Sequence, residues 1–182
     1  APKLRDMILA STDIMGGLAT KVAPVANFAL GLKPTKVVMD AVLKVDKHRT
    51  FPKYASRTFE SWYKKNVKAF QDTFKRHVSF FHGCYVNYNY PQLGKDLISV
   101  MNALGYGVHL LENEKCCGTA LISNRMIDQA KKNAVNNVES IRKSVYERQM
   151  PVIGTSSSCN FTSRDEYPHF LGIDNADVRD YI

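Results

Sequence analysis

The chain has 182 residues, 45% of them hydrophobic and 23% charged, with a formal net charge of +8. That length buries a core without disulfide staples, and the composition is that of an ordinary globular protein, not of a disordered one. No run reaches the roughly 18 uninterrupted apolar residues of a membrane-spanning helix. The opening Lys3, Arg5 and Asp6 are followed by no clean apolar core of a secretory signal.

The charge is unevenly spread. Residues 1–76 hold 15 Lys/Arg against 6 Asp/Glu, whereas residues 77–182 hold 10 against 11. Such asymmetry suits an anionic partner, whether a phospholipid face or an acidic neighbouring subunit; a solvated basic helical face accounts for it equally well. No nucleic-acid-binding motif accompanies the charge, so nucleic acid is not an expected partner.

Up to His77 the pattern is helical with turns. Ser11 and Thr12 are expected to cap a short helix that Gly16-Gly17 breaks. Ile14 to Leu32, interrupted by Lys21, Pro24 and Asn27, reads as a helix–loop–helix or a surface-lying amphipathic piece. Val37, Val38, Ala41 and Val42, with Val45 beyond, have helical spacing. Thr58 to Phe74 reads as one basic helix with Phe59, Trp62, Tyr63 and Phe70 available to pack.

At residue 78 the period changes. Val78–Phe81 is a short apolar run expected as a strand, ending in His82-Gly83-Cys84. Asn89 to Pro91 supplies an N-cap and an N1 proline for a helix carrying Leu93, Leu97, Ile98, Met101 and Leu104, closed by Gly105. Gly107–Leu111 is the next strand, leading to Cys116-Cys117-Gly118. A long helix is expected from about Asn124 to Gln149, then a third strand at Pro151–Gly154 leading to Cys159. Asn175 reads as the N-cap of a helix beginning at Ala176. Crossovers of helical length imply a parallel sheet of three or more strands, hence an α/β fold preceded by a mostly helical segment. The expected division is a basic helical extension over 1–76 and a cysteine-rich α/β unit over 77–182. The opening Ala1-Pro2-Lys3 and the closing helical turns predict a piece of a longer subunit.

Each strand leads to cysteine, and in an open parallel sheet the carboxyl ends of the strands share one edge, where ligands bind. One strand–helix repeat therefore brings Cys84 to Cys116, and the next brings Cys117 to Cys159. Zinc is normally held by two short chelating hairpins, yet here there is no CxxC pair and two of the thiols are adjacent. Consecutive side chains diverge, which suits a multi-iron cluster that offers separate irons to separate thiolates. His82 is expected as a hydrogen-bonded structural histidine, and Tyr85, Tyr88 and Tyr90 either cover the site or simply pack. No nucleophile–base–orienter set is present, so no catalytic residue is expected.

Cys84, then Cys116-Cys117-Gly118, then Cys159 after a strand resembles the cysteine-rich CCG domain of the heterodisulfide reductase family and related oxidoreductases. Phe81-His82-Gly83-Cys84-Tyr85-Val86-Asn87-Tyr88-Asn89, Glu114-Lys115-Cys116-Cys117-Gly118 and Ser11-Thr12-Asp13-Ile14-Met15-Gly16 resemble the C-subunit family of anaerobic glycerol-3-phosphate dehydrogenase. The resemblance implies an electron-transfer subunit, not itself catalytic, on the cytoplasmic face of the inner membrane as a peripheral protein. Its implied partners are flavin-bearing dehydrogenase subunits and quinone or the membrane surface. Its implied cofactor is an iron–sulfur cluster of 4Fe-4S type, cubane or not, ligated by Cys84, Cys116, Cys117 and Cys159; zinc is the alternative. The family's fullest motif ends in CxxC, whereas Cys159-Asn160-Phe161-Thr162 places threonine at the last position, and a hydroxyl is a poor ligand for iron.

Overall fold

A three-stranded parallel sheet with strand order β2-β1-β3 organises the protein, described here over residues 4–182 from a computed structural model. Four helices lead in: α1 (Leu4–Ala10), α2 (Thr12–Lys21), α3 (Ala23–Gly31) and α4 (Lys33–Leu43). After an irregular stretch come α5 (Phe59–Asn66) and α6 (Lys68–Gln71), then β1 (Arg76–Phe81). The chain continues through α7 (Gly83–Tyr88), α8 (Pro91–Ala103), β2 (Tyr106–Leu110), α9 (Thr119–Ser123), α10 (Ile127–Arg142), β3 (Val152–Gly154) and α11 (Ser157–Phe161).

β1 is central, pairing Val78 with Val108 on one side and Phe80 with Ile153 on the other. The crossover from β1 to β2 and the return from β2 past β1 to β3 run in opposite directions, so right-handed connections must cover opposite faces, and they do. Val78 and Phe80 point to one face, where Phe59, Tyr63, Val86, Val108 and Ile98 of α8 pack. Phe81 points to the other, where Ala130, Ala134, Val138 and Ile141 of α10 pack with Cys116 and Cys117. Burial on both faces is why the strands read as apolar runs without alternation.

Several expectations need correcting. Gly16-Gly17 does not break the helix; α2 runs through both. A Cβ at Gly16 would lie 2.4 Å from a Tyr88 ring carbon, so glycine serves close packing there. Ser11 stands at the N-cap position, but its hydroxyl donates back to the Met7 carbonyl. The segment expected as one helix from Thr58 is two pieces, α5 and α6, parted at Val67. The break lets Tyr63 and Gln71 reach the outer edge of β2: the Tyr63 hydroxyl donates to the Val108 carbonyl at 2.8 Å and Gln71 Oε1 accepts the Val108 N–H at 2.9 Å. Without them a buried strand edge would leave both groups unpaired.

The long helix begins at Ile127 and its α-helical part ends at Arg142, widening into a π-helical turn over Lys143–Glu147. There Ser144 donates to Ser79 of β1 at 2.6 Å, and Gln149 takes a left-handed φ of 55° ahead of Pro151. Tyr90 occupies the N-cap of α8; the Asn89 side chain instead donates to the Lys53 carbonyl. Asn175 caps no long helix: it is 1% exposed, its amide donates to the Ser163 and Arg164 carbonyls, and only a 3-10 turn, Arg179–Tyr181, follows.

Candidate metal centre

Three segments that follow the strands at the carboxyl edge of the sheet carry the cysteines. Cys84 sits in the first turn of α7, behind Gly83, whose φ of 70° turns the chain sharply out of β1. The buried Glu114 holds that turn, its two oxygens accepting the N–H groups of His82 at 3.1 Å and Gly83 at 2.7 Å. His82 Nδ1 lies 3.3 Å from the same carboxylate, and its ring stands edge-on to Phe59 and Phe80. The same Nδ1 lies 3.0 Å from the Gly83 carbonyl oxygen. Burial pushes the Glu114 carboxyl up, against the pull of His82 and the two N–H donors.

The Cys116-Cys117 loop hangs on four side chains. Asn137 of α10 accepts the Lys115 N–H at 2.9 Å and donates to the Lys115 carbonyl at 3.1 Å. Asn133, one turn earlier, donates to the Cys116 carbonyl at 3.1 Å. The Tyr167 hydroxyl donates to the Cys117 carbonyl at 2.9 Å and accepts from Asn137. Asp13 of α2 accepts the Cys116 N–H at 2.9 Å. Gly118 then turns away with φ 98°. Cys159 lies within α11, whose N-cap, Ser156, accepts the Cys159 N–H.

All four are free thiols, and their side chains meet in one run: Cys84 with Cys116, Cys116 with Cys117, Cys117 with Cys159. A Cβ on Gly83 would be 3.5 Å from Cys159 Sγ, which brings the run back towards the Cys84 turn. Two hydroxyls reach the sulfurs, Thr12 at 3.4 Å from Cys116 Sγ and Thr119 at 3.2 Å from Cys117 Sγ. Contact with Cys116, then burial, pushes the Cys84 thiol far up. Contact with Cys117 is the foremost cause raising Cys116 to about 11. Cys117 is lowered by Cys116 but driven up to about 12 by Cys159 and burial. Cys159 is lowered, first by Cys117. Crowded thiols of this kind resist ionising together unless a cation compensates them. Among the described residues, no three His, Cys, Asp or Glu side chains are gathered as a lone metal ion needs.

Cys84 and Cys116 also line a cleft of about 1100 Å³ with Asp13, Tyr88, Tyr63 and His109. Of the three tyrosines after Cys84, Tyr88 borders the cleft and packs on Gly16, whereas Tyr85 and Tyr90 are about half exposed. Thr162, where the fullest motif has cysteine, is 1% exposed, its hydroxyl bonded to Thr119 and Glu166. Sequence reasoning missed the supporting residues Thr12, Asp13, Glu114, Asn133 and Tyr167. Asn133 and Asn137 did leave a signal: two amides four residues apart, interrupting an otherwise apolar helix stripe.

Residues 78–162 match the family described as Cysteine-rich domain, CCG. Over 181 residues the chain is 54% identical to the C subunit of the anaerobic glycerol-3-phosphate dehydrogenase of Escherichia coli K12, covering all of this chain and 46% of that protein. It is 30% identical over 93 residues to an uncharacterized iron-sulfur protein of Methanococcus maripaludis, covering 51% of this chain and 18% of that one. Over 106 residues it is 24% identical to the B subunit of the fumarate reductase (CoM/CoB) of Methanothermobacter marburgensis, covering 58% of this chain and 21% of that one. The chain thus spans about half the length of the E. coli relative. No solved structure matches it.

Proposed function

We propose that this chain is part of the iron–sulfur electron-transfer subunit of an anaerobic glycerol-3-phosphate dehydrogenase. Cys84, Cys116, Cys117 and Cys159 are the cluster ligands in this reading. The observation that carries it is the single run of four free thiols at the sheet edge. Four soft donors fit iron–sulfur chemistry, and adjacent Cys116 and Cys117 fit a cluster of 4Fe-4S type better than one ion. The Thr162 hydroxyl, engaged by Thr119 and Glu166, adds no ligand. The bound cluster would supply a one-electron relay. The chain's own residues hold its ligands, donate the Thr12 hydroxyl to Cys116 Sγ, set the Thr119 hydroxyl beside Cys117 Sγ and keep the site partly buried. Electrons would enter from flavin-bearing subunits and leave toward quinone, with no bond made or broken in this chain.

The proposed location is peripheral, on the cytoplasmic face of the inner membrane. No helix among the described residues is long and apolar enough to cross a membrane. Instead α2–α4 present exposed Ile14, Leu18, Val25, Phe28, Val37 and Val42, with Lys21, Lys33 and Lys36 interspersed. An apolar face edged by lysines matches an anionic bilayer surface. The exposed sides of α2–α4 would thus serve attachment, and the carboxyl edge of the sheet the cofactor.

The test is anaerobic expression of the full chain with measurement of iron, acid-labile sulfide and zinc, and optical spectra before and after dithionite. Iron and sulfide at cluster stoichiometry, bleaching on reduction, and loss of both in Cys117→Ser are expected. Zinc with a silent spectrum would replace the relay with a structural metal module.

A further inference from the structure

α2 begins more than 100 residues before Cys116 in sequence and carries no cysteine, yet one of its sides is built into the thiol site. Ala10, just before it, is 2% exposed and packs in the same cluster as Cys116 and Cys117. Asp13 Oδ2 accepts the Cys116 N–H at 2.9 Å. The Thr12 hydroxyl donates to Cys116 Sγ at 3.4 Å, within range for a sulfur acceptor. One turn on, Gly16 lets the helix settle on Tyr88 of α7, the helix that carries Cys84. The opposite side of α2, with Ile14, Met15 and Leu18, is exposed. The inward side is therefore committed to the cysteine loops.

We propose that Thr12 and Asp13 are positioning residues of the cysteine site: Asp13 fixes the Cys116 backbone, and Thr12 donates to its sulfur and so sets the site's electron affinity. The proposal rests on the iron–sulfur reading above. A hydroxyl donating to a ligating sulfur stabilises the extra electron of the reduced state and raises the potential. By taking the Cys116 N–H, Asp13 holds the loop in the one orientation that keeps this sulfur against Thr12. Neither residue needs to touch a metal to act.

Two measurements on the full chain separate this proposal from the reading beneath it. First, Thr12→Val keeps the side chain's shape and removes only the donor. It should load iron and sulfide as the unmodified protein does, but with a midpoint potential shifted to lower values, and Thr12→Ser should restore the potential. Normal loading with an unshifted potential would overturn the role given to Thr12. Second, hydrogen–deuterium exchange on the cofactor-free chain reads the Asp13 contact whatever metal the site takes. Asp13→Ala should speed exchange of the Cys116 amide about tenfold, the equivalent of one lost hydrogen bond. Asp13→Asn, whose carbonyl oxygen accepts the same bond, should retain protection. An unchanged Cys116 amide in Asp13→Ala sinks the proposal even if iron is bound; absence of iron with a changed amide sinks the iron–sulfur reading instead.

Discussion

Helices α10 and α4 carry similar apolar stripes and meet opposite fates. In α10, Ala130, Ala134, Val138 and Ile141 are at most 1% exposed. In α4, Val37, Val38 and Val42 are 56–65% exposed, and among the described residues the helix buries none of its own. A stripe at helical spacing makes an amphipathic helix in either case, but the sheet is there to receive only one of them. The buried face of α10 also carries amides: Asn133 and Asn137 interrupt it and hold the cysteine loop. The stripe of α10 is thus anchored to a scaffold and reads out a site, whereas that of α4 faces outward among Lys33, Lys36 and Lys44.

The widest separation between the two helices should appear on truncation. Ile141→Ala deletes a fully buried side chain between the sheet and α10. By the usual cost of such cavities it should destabilise the fold by about 2–5 kcal/mol, read as a lower urea midpoint at unchanged slope. A loss below 1 kcal/mol would mean that α10 is as loosely held as α4.

A smaller effect, of about 1–3 kcal/mol, is expected from Asn137→Ala, since it leaves the Lys115 backbone N–H and carbonyl and the Tyr167 hydroxyl without their Asn137 partner. Here the telling comparison is with metal content. If α10 positions the site, the variant should lose bound metal at denaturant concentrations where its secondary structure by circular dichroism is still intact. Parallel loss of both would leave Asn137 a fold-stabilising residue only.

Acid tests the sheet side alone. His109 is held below its ordinary value, first by burial and then by His77, whose Nδ1 lies 3.0 Å from His109 Nε2; Lys68 and Arg148 add to this and Asp72 opposes it. A histidine with a lowered folded pKa binds fewer protons folded than unfolded. Its contribution is therefore fully present above the unfolded value of about 6.5 and is lost as pH falls through that value toward the folded one. Urea midpoints should drop between pH 7 and pH 5, and His109→Gln should flatten part of that slope. An unchanged slope in the variant would assign the acid sensitivity elsewhere.

What was legible beforehand follows the same division. Val78–Phe81 and Gly107–Leu111 announced strands because burial on both faces leaves no polar alternation, and Cys84, Cys116-Cys117 and Cys159 fell one repeat apart along them. Contacts over long separations left less trace. Gly16 looks like a helix breaker until Tyr88 is seen against it, and Asp13 looks like an ordinary first-turn acid until Cys116 arrives 103 residues later. The split between α5 and α6 answers a need of β2, for partners to Val108, that nothing near Val67 announces. Asn175 imitates a cap because the carbonyls it serves, Ser163 and Arg164, lie outside its own segment.

The smallest stability effect belongs to α4, and there the readout changes. Val37→Ser together with Val42→Ser removes two exposed apolar side chains that stabilise no core, so each change should stay within about 0.5 kcal/mol in urea unfolding. If the outward stripe meets a bilayer, the same variant should bind vesicles of anionic phospholipid several-fold more weakly than the unmodified chain. Raising salt from 0.1 to 1 M, which shortens the screening length from about 10 Å to about 3 Å, should weaken both by reducing the lysine contribution. Binding that disappears in salt but ignores the valine substitutions would make the lysines the whole attachment and leave the apolar stripe of α4 for a protein partner. Binding lost in the valine variant at low salt would make α4 the counterpart of α10: an amphipathic helix completed by a surface outside the chain.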